Sequence, residues 1–152
     1  IEKFPDVNLN FIGSIQSRKI KKICELCNVI HSIDREKIVK LISELKYQGM
    51  NIPKLFLQVN IGLESQKSGI NPNDVKDFIE ISLKKYHISF EGLMCLPPEG
   101  VDPKEYFDQL KSLSLSNKLD KLSMGMSGDY LSALESGATH IRVGSLIFGE
   151  RT

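Results

Sequence analysis

Short apolar runs alternate with amphipathic stretches along this chain, and that alternation restricts the fold more than any single motif. LNFIGSI, VIHSI, KLFLQVNIG, ISFEGLMCL, KLSMG and HIRVGSLIFG read as six strand-like segments. Between them stand SRKIKKICELC, REKIVKLISELKYQG, PNDVKDFIEISLKK, DPKEYFDQLKSL and SGDYLSALESG, which carry helical spacing. Ile20, Ile23, Cys24 and Cys27 fall on one side of the first helix, Ile38, Leu41, Ile42 and Leu45 on one side of the second. Val75, Phe78, Ile79 and Leu83 do the same on the third. Asp34 is placed to cap the second helix, Gly49 to stop it, and Pro72 to start the third. Repeated βα units imply a parallel sheet in an α/β fold rather than an antiparallel sandwich.

Two α/β architectures fit six strands. A doubly wound sheet holds them directly, whereas a TIM-type (β/α)8 barrel needs two more and usually about 250 residues. Polar residues recur just after the apolar runs, at Gln16, Asn60, Ser127 and Ser145, as expected of a barrel whose working face lies at the C-terminal strand ends. The chain begins with Ile1 rather than Met, and IEKFPDV reads as the end of a preceding segment. We therefore expect the C-terminal part of a larger barrel, with residues 1–152 as one domain of about six βα units lacking the first strands. Uncovered strand edges would then favour self-association into a homo-oligomer.

The remaining composition excludes more than it assigns. Twenty Lys and Arg against nineteen Asp and Glu give a net charge of +1, which offers no electrostatic case for nucleic acid. No apolar run approaches the roughly 20 residues needed to cross a bilayer and no secretory leader is evident, so a cytoplasmic protein is expected. Cys24, Cys27 and Cys95 are an odd set without a second CxxC pair, and CELC, inside a helical stretch, reads as buried or half-buried thiols rather than a redox or zinc site. His31, His87 and His140 stand apart from one another and from any metal-binding spacing, so structural or surface roles and no metal are expected.

Near the C-terminus, LSMGMSGD and IRVGSLIFGER place small-residue loops after two apolar runs. Such loops permit close backbone approach and can bind an anionic group. Ser123 falls within its strand on the barrel reading, which leaves Ser127 and the Gly144/Ser145 turn as phosphate candidates. The alternative is that Gly125, Gly128, Gly144 and Gly149 only close turns, since neither loop is a GxGxxG or Walker sequence.

Together NFIGSIQSRK, LFLQVNI, EGLMCLP, LSMGMSGD and IRVGSLIFGER resemble the pyridoxal-phosphate homeostasis protein family, which is similar to the N-terminal barrel of alanine racemases. The resemblance implies a (β/α)8 barrel that binds pyridoxal 5′-phosphate (PLP) and serves vitamin B6 and amino-acid balance without established catalytic turnover, so no catalytic residue is assigned. It implies that Arg142 faces the pyridine nitrogen and, being unable to accept a proton, disfavours protonation there. Ser127 resembles a phosphate-binding hydroxyl, with backbone donors at Gly144 and Ser145, while Asn60 and Met94 resemble residues shaping the ring side. Asn60 as a loop cap and Met94 as ordinary core stay open beside those roles. The family's HFIG-like and QSNK-like segments are altered here: Asn10 precedes FIG, and Arg18 precedes Lys19.

The family's cofactor-bearing lysine and a following GEN-like segment have no counterpart in these residues. Lys19 and Lys67 lie in loops on the expected working face but align with neither, so PLP binding is expected to be weak or absent. An amino-acid racemase or related PLP enzyme, using a lysine from missing sequence, is the first alternative. A degenerate scaffold or interaction protein that has lost the cofactor site is the second.

Overall fold

The computed structural model describes residues 6–149. The expectations for IEKF, Pro5, Glu150 and the two residues after it therefore lie outside the described residues. Five strands form one wholly parallel sheet: β1 (Asn10–Phe11), β2 (Val29–Ile33), β3 (Lys54–Val59), β4 (Gly92–Cys95) and β5 (Lys121–Ser123). Their spatial order is β1-β2-β3-β4-β5, the order of the chain. The connecting helices are α1 (Ile20–Leu26), α2 (Glu36–Tyr47), α3 (Val75–Tyr86), α4 (Lys104–Ser116) and α5 (Tyr130–Glu135), followed by the short α6 (Ser145–Phe148).

The apolar residues of the strands sort into two groups by the alternation of side chains along a strand. Ile30, Leu55, Leu57, Leu93 and Leu122 join Ile23, Ile42, Val75, Leu110 and Ala133 from the first five helices in one large core. Val29, Phe56 and Met94 form a separate cluster with Leu96. The first five helices thus cover one face of the sheet. A doubly wound sheet needs helices on both faces and a reversal of strand order, so sequential order with one-sided helices is the barrel type of progression. The fold is α/β, with a parallel sheet flanked by helices.

Three local expectations need correction. The sixth strand is reduced to a single bridge between Ser123 and His140. Thr139 and His140 both donate to the Leu122 carbonyl, and β5 then turns at Gly125, whose φ of +91° takes its backbone out of extended geometry, so no regular ladder continues. Asp34 does not cap α2: Arg35 occupies that position without a side-chain cap bond, and the Asp34 carboxylate is ion-paired with the Arg35 guanidinium instead. Leu83 is 54% exposed while Ser82 is 1% exposed. At 3.6 residues per turn the stripe begun at Val75 returns to the sheet at Ser82 and leaves Leu83 on the flank. Asp129 stands at the start of α5, and its side chain accepts from the Met126 amide of the preceding loop at 2.6 Å.

Close backbone approach sets the β4–β5 pairing. Gly92 pairs with Phe56 on one side and Lys121 on the other, and a Cβ at Gly92 would stand 2.1 Å from the Lys121 carbonyl oxygen.

Candidate functional site

The face of the sheet opposite the first five helices collects polar side chains toward the C-terminal strand ends. Ser123, wholly buried in β5, lies in register with Met94 of β4, which pairs with Gln58 of β3. Arg142 reaches into this row from the run after α5. Its Nη1 donates to Ser123 Oγ and its Nη2 to the Cys95 carbonyl, each at 2.9 Å. Burial lowers the guanidinium from its ordinary value, though an arginine so placed stays charged. Among the described residues it makes no ion pair. Cys95 is closed off under it, its thiol pushed up to about 12 chiefly by burial.

Arg142 borders two cavities. One, of about 650 Å³, is lined by Asn10, His31, Met126, His140, Arg142 and Gly144 among others. The other, of about 490 Å³, lies between Lys67, the Pro97–Pro98 turn, Gly125, Asp129 and Arg142. A third, of about 440 Å³, lies beside Lys46, Met50 and Ile88, away from Arg142.

An aromatic group borders the larger cavity. His31 stacks on Phe56 with centroids 4.6 Å apart, and His140 meets both edge-on, at 5.4 Å from His31 and 5.0 Å from Phe56. The expectation that these histidines stand apart is therefore overturned. Alternation explains the meeting: His31 shares the face of Val29, and His140 lies two residues before Arg142. Asn10 Nδ2 donates to the Asn8 carbonyl, which turns Oδ1 toward His31 Nε2 at 2.9 Å, so that nitrogen carries the proton and Nδ1 is the bare one. Among the described residues His31 Nδ1 has no hydrogen-bond partner. Burial first, then His140 and Arg142, push the His31 ring down to about 4, and burial lowers His140 as well. Neutral imidazoles thus leave Arg142 as the cation on this wall.

The six candidate residues do not all meet. Arg142 and Gly144 line the larger cavity, and Gly144 donates its backbone N–H to Ser127 Oγ at 3.1 Å, which ties the two small-residue loops together. The Gly144 donor is therefore engaged, while the Ser127 hydroxyl keeps its own proton. Ser145 is exposed at the start of α6. Met94 is 1% exposed and packed with Val29 and Phe56. The Asn60 side chain closes the following loop, donating to the Glu64 carbonyl and accepting from the Glu64 amide. Lys67 points its amine at the Pro97 carbonyl and the Glu64 carboxylate, and Lys19 ends an exposed 3-10 turn. Asn10, His31, Ser123 and His140 are the residues that sequence reasoning did not assign. The signal for the last three was the two-residue period shared with Arg142 or a strand neighbour.

Among the described residues no group of three or more His, Cys, Asp or Glu is placed to hold a metal, and no helix is long and apolar enough to cross a membrane.

Comparison with known proteins assigns the family. The model of the alanine racemase N-terminal domain matches residues 4–152. The pyridoxal phosphate homeostasis protein of Aquifex aeolicus is 34% identical over 155 residues, covering 96% of this chain and 68% of that protein. Its counterpart in Vibrio cholerae is 39% identical, covering 93% of this chain and 64% of that protein, so the chain spans about two thirds of the length of these relatives. The structure of PipY from Synechococcus elongatus without PLP superposes with a TM-score of 0.90 at 30% identity, over 98% of this chain and 74% of that one. The same protein with PLP bound gives 0.86 over 97% and 73%. Alanine racemase from Clostridium difficile, at 14% identity and a TM-score of 0.72, shares the fold. The sequential one-sided sheet is thus that of a known lineage, and this chain belongs to the pyridoxal phosphate homeostasis protein family, within the alanine racemase N-terminal domain class.

Proposed function

We propose that this chain contributes a PLP-binding face and serves vitamin B6 homeostasis by holding the cofactor without catalytic turnover. We further read its sheet as part of a barrel of the alanine-racemase type, with more strands flanking β1 and the Thr139–Arg142 run. The observation that carries the binding reading is the Arg142 guanidinium, half-buried and anchored at both terminal nitrogens on the wall of two cavities. A cavity of about 650 Å³ lies within the usual range for small-molecule sites, roughly 300–1,000 Å³. The donor set also fits: a fixed cation, a free hydroxyl on Ser127, and an aromatic wall of His31 and His140 backed by Phe56.

PLP, when bound, supplies an aldehyde that condenses with primary amines and a ring that withdraws electrons from the product. In this reading Arg142 would face the ring nitrogen and hold it unprotonated, because a guanidinium donates hydrogen bonds and accepts none. That makes the ring a weak electron sink, in keeping with storage or delivery rather than turnover. Ser127 would donate to the phosphate, and Ser145 would add a donor at the exposed end of the same pair of loops. Met94 would act from beneath the face by packing against Phe56. Asn60 would act through the shape of its loop, since its amide is bonded within that loop.

Equilibrium dialysis of the purified chain against PLP tests the reading, with Arg142→Met alongside and circular dichroism to verify its fold. Saturable binding weakened roughly tenfold or more by the substitution is the expected result. No saturable binding by the native chain, or equal binding by the variant, would sink it.

A further inference from the structure

The cation at the cavity wall has an orientation, and two strands set it. Ser123 is wholly buried, and its Oγ lies 2.9 Å from Arg142 Nη1. The Cys95 carbonyl, at the end of β4, lies 2.9 Å from Nη2. A planar guanidinium held at both terminal nitrogens by acceptors on neighbouring strands has its plane fixed. With one anchor it can pivot about the other.

We propose that Ser123 is the positioning residue for Arg142, fixing the guanidinium plane so that its remaining N–H donors meet the ring of the bound ligand. This rests on the PLP-binding reading given above. The carbonyl anchor is backbone and survives any substitution, whereas the hydroxyl anchor depends on the residue type. Ser123 also owes its place to pairing: Met94 faces it in the β4–β5 register, and Arg142 follows the single bridge between Ser123 and His140. Backbone bonds from Met124 to the His140 carbonyl and from Arg142 to the Gly125 carbonyl hold the approach of the two segments. The serine therefore acts through the arginine and needs no contact with ligand.

The test uses two readouts on the native chain, Ser123→Ala, Ser123→Cys and Ser123→Thr. The first is the nitrogen-15 NMR signal of the Arg142 guanidinium without ligand, assigned with Arg142→Met. Restricted rotation and slow proton exchange are expected in the native chain and in Ser123→Thr, and their loss in Ser123→Ala and Ser123→Cys. The cysteine variant nearly preserves the volume, and it answers the question should the alanine variant fail to fold. The second readout is PLP affinity by dialysis with the absorption band of bound PLP, where roughly tenfold weaker binding and a shifted band are expected in the Ala and Cys variants only. A guanidinium that stays protected in both overturns the inference. So does one that is released while PLP affinity and band are unchanged. If the native chain binds no PLP the functional reading fails, and the guanidinium signal alone then decides whether Ser123 orients Arg142.

Discussion

A buried imidazole held neutral has a cost that acid reveals. The His31 ring is pushed down to about 4 from an ordinary value of 6.5, with burial as the main cause. The unfolded chain therefore takes up this proton before the folded one does. As pH falls below about 6.5 the unfolded state gains and the folded state does not, so stability declines until about pH 4, where both bind it. Discounted for relaxation of the surroundings, the loss is on the order of 2 kcal/mol. His140 is lowered too and adds in the same direction. Urea midpoints at pH 7 and pH 4.5 will check this: the native chain should lose stability steeply, and His31→Phe, which keeps the stack on Phe56, should flatten the slope. An unchanged slope in the variant would assign the effect elsewhere. Neither this pair nor Ser123 was assigned from the sequence, because a two-residue period gives the face a side chain takes but not the partner it meets there. Arg142 was legible only through the ordered set of family motifs, since spacing says nothing about which strand carbonyl receives a guanidinium.

At the scale of elements, the apolar runs foretold β2, β3, β4 and β5 and all five longer helices, because burial against helices demands those patterns. They failed where a backbone event decided the outcome. HIRVG has the composition of a strand, yet the turn at Gly125 removes its partner after one bridge. The glycines separate by the same physical test. A Cβ at Gly92 would stand 2.1 Å from the Lys121 oxygen, so Gly92→Ala must part β4 from β5 and should cost about 3 kcal/mol or prevent folding. Gly144 has φ −123° and nothing within 4 Å of an added Cβ, so Gly144→Ala should stay within about 0.5 kcal/mol of the native chain. Denaturant unfolding of the two variants checks both, and the second also reads the site. Its PLP affinity should fall if the cofactor's phosphate approaches the backbone there, while equal affinity would remove Gly144 from the phosphate contacts.

For the whole molecule, the strand order predicts how stability is distributed. β3 is paired on both sides, with β2 and β4, and its Leu57 and Val59 are 0% and 1% exposed. β1 has two residues and pairs with β2, and the Thr139–Arg142 run at the other side of the sheet contacts β5 through one bridge and scattered amide bonds. The sequence announced a parallel α/β progression, but not this gradient, which follows from pairing rather than from the hydrophobicity of any one run. Amides of β3 should therefore exchange with deuterium only through global unfolding, whereas those of β1 and the 139–142 run should exchange through local opening at far lower free energy. Hydrogen exchange followed by NMR at several protein concentrations checks this. Protection of β1 equal to that of β3 would mean that its edge is paired in solution, and protection that grows with concentration would identify a second copy of the chain as the pairing partner. A fast β1 edge at all concentrations would instead leave that edge free to accept strands of the kind the barrel reading places beside it, and would exclude self-association through β1.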